Sequence, residues 1–86
     1  MPQISYFLDI IIRMFYRDHN PPNFHGVYAE QEALVDIQKL ELWSEHLPPW
    51  VLGLVIEWAP IHQKELMENW ERARNMETLV AVAPLV

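Results

Sequence analysis

From Ile10 to Arg17 the side chains alternate: Ile10, Ile12, Met14 and Tyr16 fall on one face, Ile11, Arg13, Phe15 and Arg17 on the other. β-Branched and aromatic residues at that period predict a strand over Ile10–Tyr16. Ile4–Leu8 reads as a preceding short strand or an extended arm. Phe24–Tyr28 and Ala33–Ile37 read as two more strands, the latter with Ala33, Val35 and Ile37 inward and Leu34 and Asp36 opposite. Ala29-Glu30-Gln31-Glu32 is the tight connection between them, and Leu40–Trp43 is another short strand. Connections this short favour an antiparallel meander, because a parallel pair needs a crossover of about a dozen residues or more.

The period changes after Pro48-Pro49, where proline suits a first helical turn. Leu52, Val55, Ala59, His62, Leu66, Trp70 and Ala73 recur at steps of three, four and seven, which makes one helical stripe. Val51, Leu54, Ile56 and Trp58 are apolar as well, so the first half of the helix is expected to be covered on more than one side. In the second half Lys64, Glu65, Glu68, Glu71 and Arg72 face water, with Glu68 and Arg72 at a favourable i, i+4 spacing. Pro60 interrupts the pattern, removing the bond to the Ile56 carbonyl at a cost of about 3 kcal/mol in a helix interior. One long helix kinked there is the preferred reading, and a break with Pro60 opening a second helix is the alternative.

The pattern therefore predicts an α+β fold: a small antiparallel sheet of about three to five strands packed against one long, kinked C-terminal helix. The chain reads as a single domain, with the sheet at roughly 4–45, the helix at roughly 49–75 and an apolar tail at 78–86. The tail, Leu79-Val80-Ala81-Val82-Ala83-Pro84-Leu85-Val86, is too apolar for a solvated end. It is expected to add a strand to the sheet's own edge or to the edge of another chain.

Composition narrows the function. Hydrophobic residues make up 51% of the 86 positions and aromatics 12%, so apolar surface should remain after a core this small is filled. Self-association or a protein partner is expected on that ground. Trp50, Trp58 and Trp70, with Leu79, Val80 and Val82 of the tail, are the candidate interface residues. Twelve acids against six scattered Lys or Arg give a net charge of −6, which disfavours unaided nucleic-acid binding. There is no cysteine, hence neither disulfide nor thiolate metal site. Met-Pro-Gln-Ile-Ser lacks the basic start and apolar run of a secretory leader, and no run of about 18 apolar residues exists. A cytoplasmic location without a membrane span is the expectation.

The chemistry concentrates in Asp18-His19-Asn20-Pro21-Pro22-Asn23-Phe24-His25, where two imidazoles and a carboxylate flank a stiff double proline. Each proline sets its own φ and restricts the residue before it, so the histidine spacing is held. His19 and His25 could act as general acid and base, or as two ligands of a divalent metal. Zinc usually needs a third protein ligand, for which Asp18, Asp36 or His62 are available if the helix lies across the hairpin. His62 stands where the helical stripe calls for an apolar residue; it is either a histidine satisfied by one partner, or a group brought over the sheet toward His19 or His25 with a carboxylate such as Glu65 or Asp36 as its mate. Arg13 and Arg17 share a strand face and are expected to neutralise Asp36 or Glu32; a phosphate site is the sharper alternative, with Arg13 completing a catalytic set of His19, His25 and His62. His46 falls in a loop. Only two glycines are present, so no phosphate-cradling loop exists, and no Ser/His/Asp order stands out.

Met1-Pro2-x-Ile4-Ser5, Ile12-Arg13-Met14-Phe15-Tyr16-x-Asp18-His19-Asn20-Pro21-Pro22-x-Phe24-His25 and Glu57-Trp58-Ala59-x-x-His62-x-x-Glu65-Leu66-x-Glu68-Asn69-Trp70 together resemble a small bacterial family, number 4160 among the domains of unknown function. The resemblance covers essentially the whole chain. It implies a short protein often encoded beside a partner from family 2442 of the same catalogue, the pair forming a toxin–antitoxin-like or regulatory module. Family members carry a third histidine in the motif where this chain has Asn23, a poor zinc ligand, so any family metal site is weakened here. The leading expectation is a non-catalytic interaction protein, oligomeric or bound to its neighbour's product. A small ribonuclease-like toxin using the histidines is the alternative, and a metal-binding regulator the second alternative.

Overall fold

A computed structural model describes residues 2–86, the side chain of Glu45 excepted. Strands β1 (Gln3–Phe7), β2 (Ile10–Arg13), β3 (Asn23–Tyr28), β4 (Gln31–Asp36) and β5 (Leu42–Glu45) precede helices α1 (Pro49–Ile61) and α2 (Gln63–Arg74). The sheet runs β1-β2-β3-β4-β5 with every neighbouring pair antiparallel, the meander that the short connections call for. The α+β class and the five-stranded upper count of the expected sheet are both observed. The β2 strand stops at Arg13 rather than Tyr16, because the chain turns away and Arg17 takes φ 55°. The last strand begins at Leu42 rather than Leu40, which itself adopts φ 56° in the preceding turn.

Two hairpins close on residues that lack the usual turn chemistry. Leu8 and Asp9 link β1 to β2 with φ 50° and 65°, both in the left-handed region, as a type I′ turn requires. The Asp9 carboxylate accepts a 2.8 Å hydrogen bond from the Tyr6 hydroxyl, which holds this turn. Ala29, at φ 54°, and Glu30 link β3 to β4.

One face of the sheet carries the core. Phe7, Ile10, Ile12, Met14, Phe24, Ala33, Val35 and Ile37 are buried there against Val51, Val55, Trp58 and Ala59 of α1 and Leu66, Trp70 and Ala73 of α2. The Trp58 ring sits 5.8 Å from both Phe7 and Phe24. Fully burying a side chain of this kind contributes about 1.5–3 kcal/mol, so this layer contact dominates stability.

The helical segment is two helices, not one. Pro60 lies inside the last turn of α1, and the break comes two residues later, at His62 (φ −116°, ψ 19°). Loss of the bond to Ile56 and ring crowding weaken the turn at Pro60. The end then tightens, with the His62 amide reaching back to Ala59, and α2 restarts from the His62 carbonyl bonded to Leu66. Gln63 secures the junction by donating to the carbonyls of Ile37 (2.8 Å) and Gln38 (3.0 Å) at the end of β4. No helix of the described residues is long and apolar enough to cross a membrane.

The tail lies along the β1 edge but does not add the expected strand: one backbone bond, from the Val82 amide to the Ile4 carbonyl (2.7 Å), joins it to the sheet. Side chains do most of the fastening. The Trp58 indole donates to the Ala83 carbonyl (2.9 Å), and the buried Asn69 amide pairs with both backbone groups of Val80.

Candidate functional site

Alternation along β3 decides where the motif histidine points. A Cβ on Gly26 would meet Val55 at 3.5 Å and Leu47 at 3.8 Å, so Phe24 and Gly26 face the helices. Asn23 and His25 therefore point to the other face. Register completes that face as two cross-strand rows. Tyr6, Ile11, Val27 and Glu32 form one, and Arg13, His25, Leu34 and Ser44 the other.

The proline loop folds over the end of the second row. Its Asn20–Pro21 peptide bond is cis. Asn23 Nδ2 donates to the carbonyls of Pro21 (3.0 Å) and His19 (3.3 Å), and the Pro22 carbonyl accepts from the Ile37 amide (3.0 Å). Asp18 turns one oxygen onto the His19 amide (2.8 Å), leaving the other 3.7 Å from His25 Nε2. On the opposite side of the ring, Nδ1 lies 3.1 Å from Glu32 Oε2. Phe15 meets the imidazole edge-on at 4.4 Å. His25 is only 8% exposed, enclosed between two carboxylates and an aromatic ring.

Both ring nitrogens thus face carboxylate oxygens. A neutral imidazole donates to one of them, and only a doubly protonated ring to both. His25 Nε2 and Asn23 Oδ1, side by side on the same face of β3, are buried without a hydrogen-bond partner. The cluster is a latch: it clamps the loop to the sheet and sets the shape of the face beside it.

The remaining candidate residues do not join it. His19 is exposed on the loop and engages Asp18 through its backbone only. His62 belongs to the helical layer, where Nδ1 pairs with Glu65 at 2.7 Å and the ring lies 5.3 Å from Trp58. The expected convergence of His62 with His19 and His25 is corrected: the helices cover the Phe24 face, so the sheet separates His62 from His25. The simpler reading of His62, a histidine satisfied by one partner, is what the structure has, and that partner is Glu65. Among the described residues no group of three His, Asp or Glu side chains is placed to hold a metal, so His19 and His25 do not form the core of a ligand set.

Arg13 is half-buried across from His25 but, among the described residues, neither it nor Arg17 makes an ion pair. The expected acids are engaged elsewhere: Asp36 accepts from the amides of Gln38 and Lys39, and Glu32 faces His25. Arg17 has left the strand, so the two arginines do not share a face. The proposed Glu68–Arg72 pair is also replaced, since Arg72 donates to Asn69 Oδ1 at 3.0 Å.

Of the candidate interface residues, Trp58, Trp70 and Val82 are at most 4% exposed and belong to the chain's own core. They are corrected to structural roles, because the helical stripe faces the sheet and the tail closes over it. Leu79 is half-buried against the core, whereas Trp50 and Val80 are each 53% exposed. A shallow groove of about 160 Å³ runs between α2 and the tail, lined in part by Glu65, Glu68 and Arg72, and shares no residue with the His25 cluster.

Residues 9–71, well over half of the chain, match the family described as Domain of unknown function (DUF4160). The chain belongs to that family. No curated protein and no solved structure matches it. The matched span of this DUF4160 protein holds the proline loop, the latch and α1, so the whole His25 cluster lies within the family's domain.

Sequence reasoning found His25 and Asp18 but missed Glu32 and Phe15 as its neighbours. Glu32 reads as part of a connection and Phe15 as a strand-face residue; the paired register of β3 and β4, with Val27 opposite Glu32, is the signal that places Glu32 one row from His25. Asn69 was missed altogether, although an asparagine between Leu66 and Trp70 on a buried stripe is a cue for a specific backbone partner.

Proposed function

We propose that this protein acts by protein–protein association, as one component of a small bacterial two-gene module of toxin–antitoxin type, in the cytoplasm. Its partner is the product of the neighbouring gene, a member of family 2442, with self-association as the alternative mode. The observation that carries the reading is the strip Tyr6–Ile11–Val27, with Leu34 in the next row, on the face that no helix covers. Tyr6 is 50% exposed, and Ile11, Val27 and Leu34 are half-buried in the middle of the sheet. A contiguous apolar strip bordered by polar groups is the composition of an interface. The latch at its end fixes the loop, so the surface is preorganised before a partner arrives.

Light scattering of the protein alone and co-expressed with the neighbouring gene product tests this. A defined complex or oligomer that Val27→Glu dissolves, with the circular dichroism spectrum unchanged, supports the reading. A monomer at high concentration that ignores the neighbouring product refutes it.

A further inference from the structure

The two edges of the sheet are treated differently. At β1 the tail lies alongside, bonded through Val82 to Ile4 and held by Asn69 and Trp58. β5 is the other outer strand, and no described strand pairs beyond it. The His46 amide bonds the Glu32 carbonyl, which puts His46 and Ser44 in hydrogen-bonded register with β4. By the alternation of an antiparallel ladder, the amide and carbonyl of Glu45 then point outward.

The same edge carries aromatic surface and negative charge. Trp43, in β5 itself, is 42% exposed. Glu41 is exposed immediately before β5 and Glu45 lies within the strand, against Lys39 in the preceding turn. A bare edge is ordinarily shielded by cationic side chains or a covering segment. Here the one covering segment is spent on the opposite edge.

We infer that β5 receives an extended, arginine- or lysine-rich segment of the partner as a sixth strand, its cations meeting the acidic residues of this edge and the exposed indole of Trp43. Strand addition supplies main-chain hydrogen bonds, while cation–π contacts and charge select a basic sequence over others. The inference rests on the association reading above and names the chemistry of the partner.

A fluorescently labelled peptide alternating arginine and valine is the probe, with an alternating glutamate–valine peptide as control. Saturable binding of the arginine peptide, with backbone amide shifts centred on Leu42–Glu45, is the expected result. Trp43→Ala and Glu45→Pro, the latter removing the outward amide, should each weaken binding by about tenfold. Trp43→Ala truncates a partly exposed side chain and keeps the fold, so it reports even if the proline variant unfolds. Equal binding of the glutamate peptide, shifts confined to other surfaces, or no binding at millimolar peptide overturns the inference. A complex with the neighbouring gene product that survives Trp43→Ala undiminished overturns it too, yet leaves the association reading standing.

Discussion

Replacing Asn69 by alanine is expected to loosen the tail while leaving the sheet intact. Asn69 is 1% exposed, and its amide makes three contacts: Nδ2 donates to the Val80 carbonyl at 2.8 Å, and Oδ1 accepts from the Val80 amide at 2.9 Å and from Arg72 at 3.0 Å. Each of the two backbone bonds contributes about 1 kcal/mol net, because their loss strands part-buried groups. The bond from Arg72 counts for little, since that guanidinium can return to water. Against this, alanine is the better helix former by about 0.5 kcal/mol. The net loss is therefore about 1.5–2 kcal/mol, a fall in Tm of about 10 °C for a domain of this size. Urea unfolding measures the first quantity, and native-state hydrogen exchange locates it. The global loss quickens exchange in β3 and β4 by about tenfold or somewhat more, at 1.4 kcal/mol per decade, and the Val80 amide, which loses its own acceptor, should quicken by more than that. Arg72→Ala serves as the control, with a change within about 0.5 kcal/mol. A loss below about 0.5 kcal/mol in Asn69→Ala, with Val80 exchange unaltered, would refute the view that this side chain fastens the tail.

Four further outcomes follow from the geometry. Met76 occupies the left-handed position (φ 57°) that ends α2, with Glu77 bonded back to Arg72, so Met76→Gly should stabilise the fold by about 1 kcal/mol in urea unfolding. A methyl group at Gly53 would meet nothing within 4 Å on an exposed helical position, and Gly53→Ala should raise stability by about 0.8–1 kcal/mol. Trp58→Ala should cost about 3–5 kcal/mol, whereas Trp50→Ala, losing little beyond an edge contact with Tyr28, should cost under about 1 kcal/mol; paired denaturation curves separate them. The Tyr6 phenol donates to Asp9, whose charge also opposes ionisation, so its pKa lies above that of a free tyrosine. Folding then favours the protonated phenol: the contribution is present below the unfolded pKa and lost as pH rises through the raised one. Ultraviolet titration of Tyr6 should return toward the ordinary value in Asp9→Asn.

The strands were legible because the sheet has one covered face, and period-two patterning survives wherever only one face is buried. Ile10, Ile12 and Met14 announce that face without help from the rest of the chain. The turn at Leu8-Asp9 was not legible, since neither residue is the glycine or asparagine that a left-handed pair favours. Its support comes from Tyr6, across the hairpin, rather than from the turn residues themselves. The helix break was legible only as an alternative. Pro60 signals disruption, but its place depends on Gln63 reaching the end of β4, a contact between segments 25 residues or more apart.

The misplacement of His62 has a different origin. Periodicity assigns side chains to faces but does not say which face of a strand the helices will cover. If they had covered the His25 face, His62 and His25 would lie in one layer and a shared pocket would follow. The deciding position is Gly26, where Val55 and Leu47 pack close to the backbone and leave His25 to the other side. His25 is nonetheless buried, by the proline loop that carries Asp18 and by Phe15. A histidine enclosed in this way, with both nitrogens turned to carboxylates, packs the loop against the sheet. The rigidity that first suggests a catalytic spacing in His19-Asn20-Pro21-Pro22 holds the loop against the surface next to it, and that is why we propose association rather than hydrolysis.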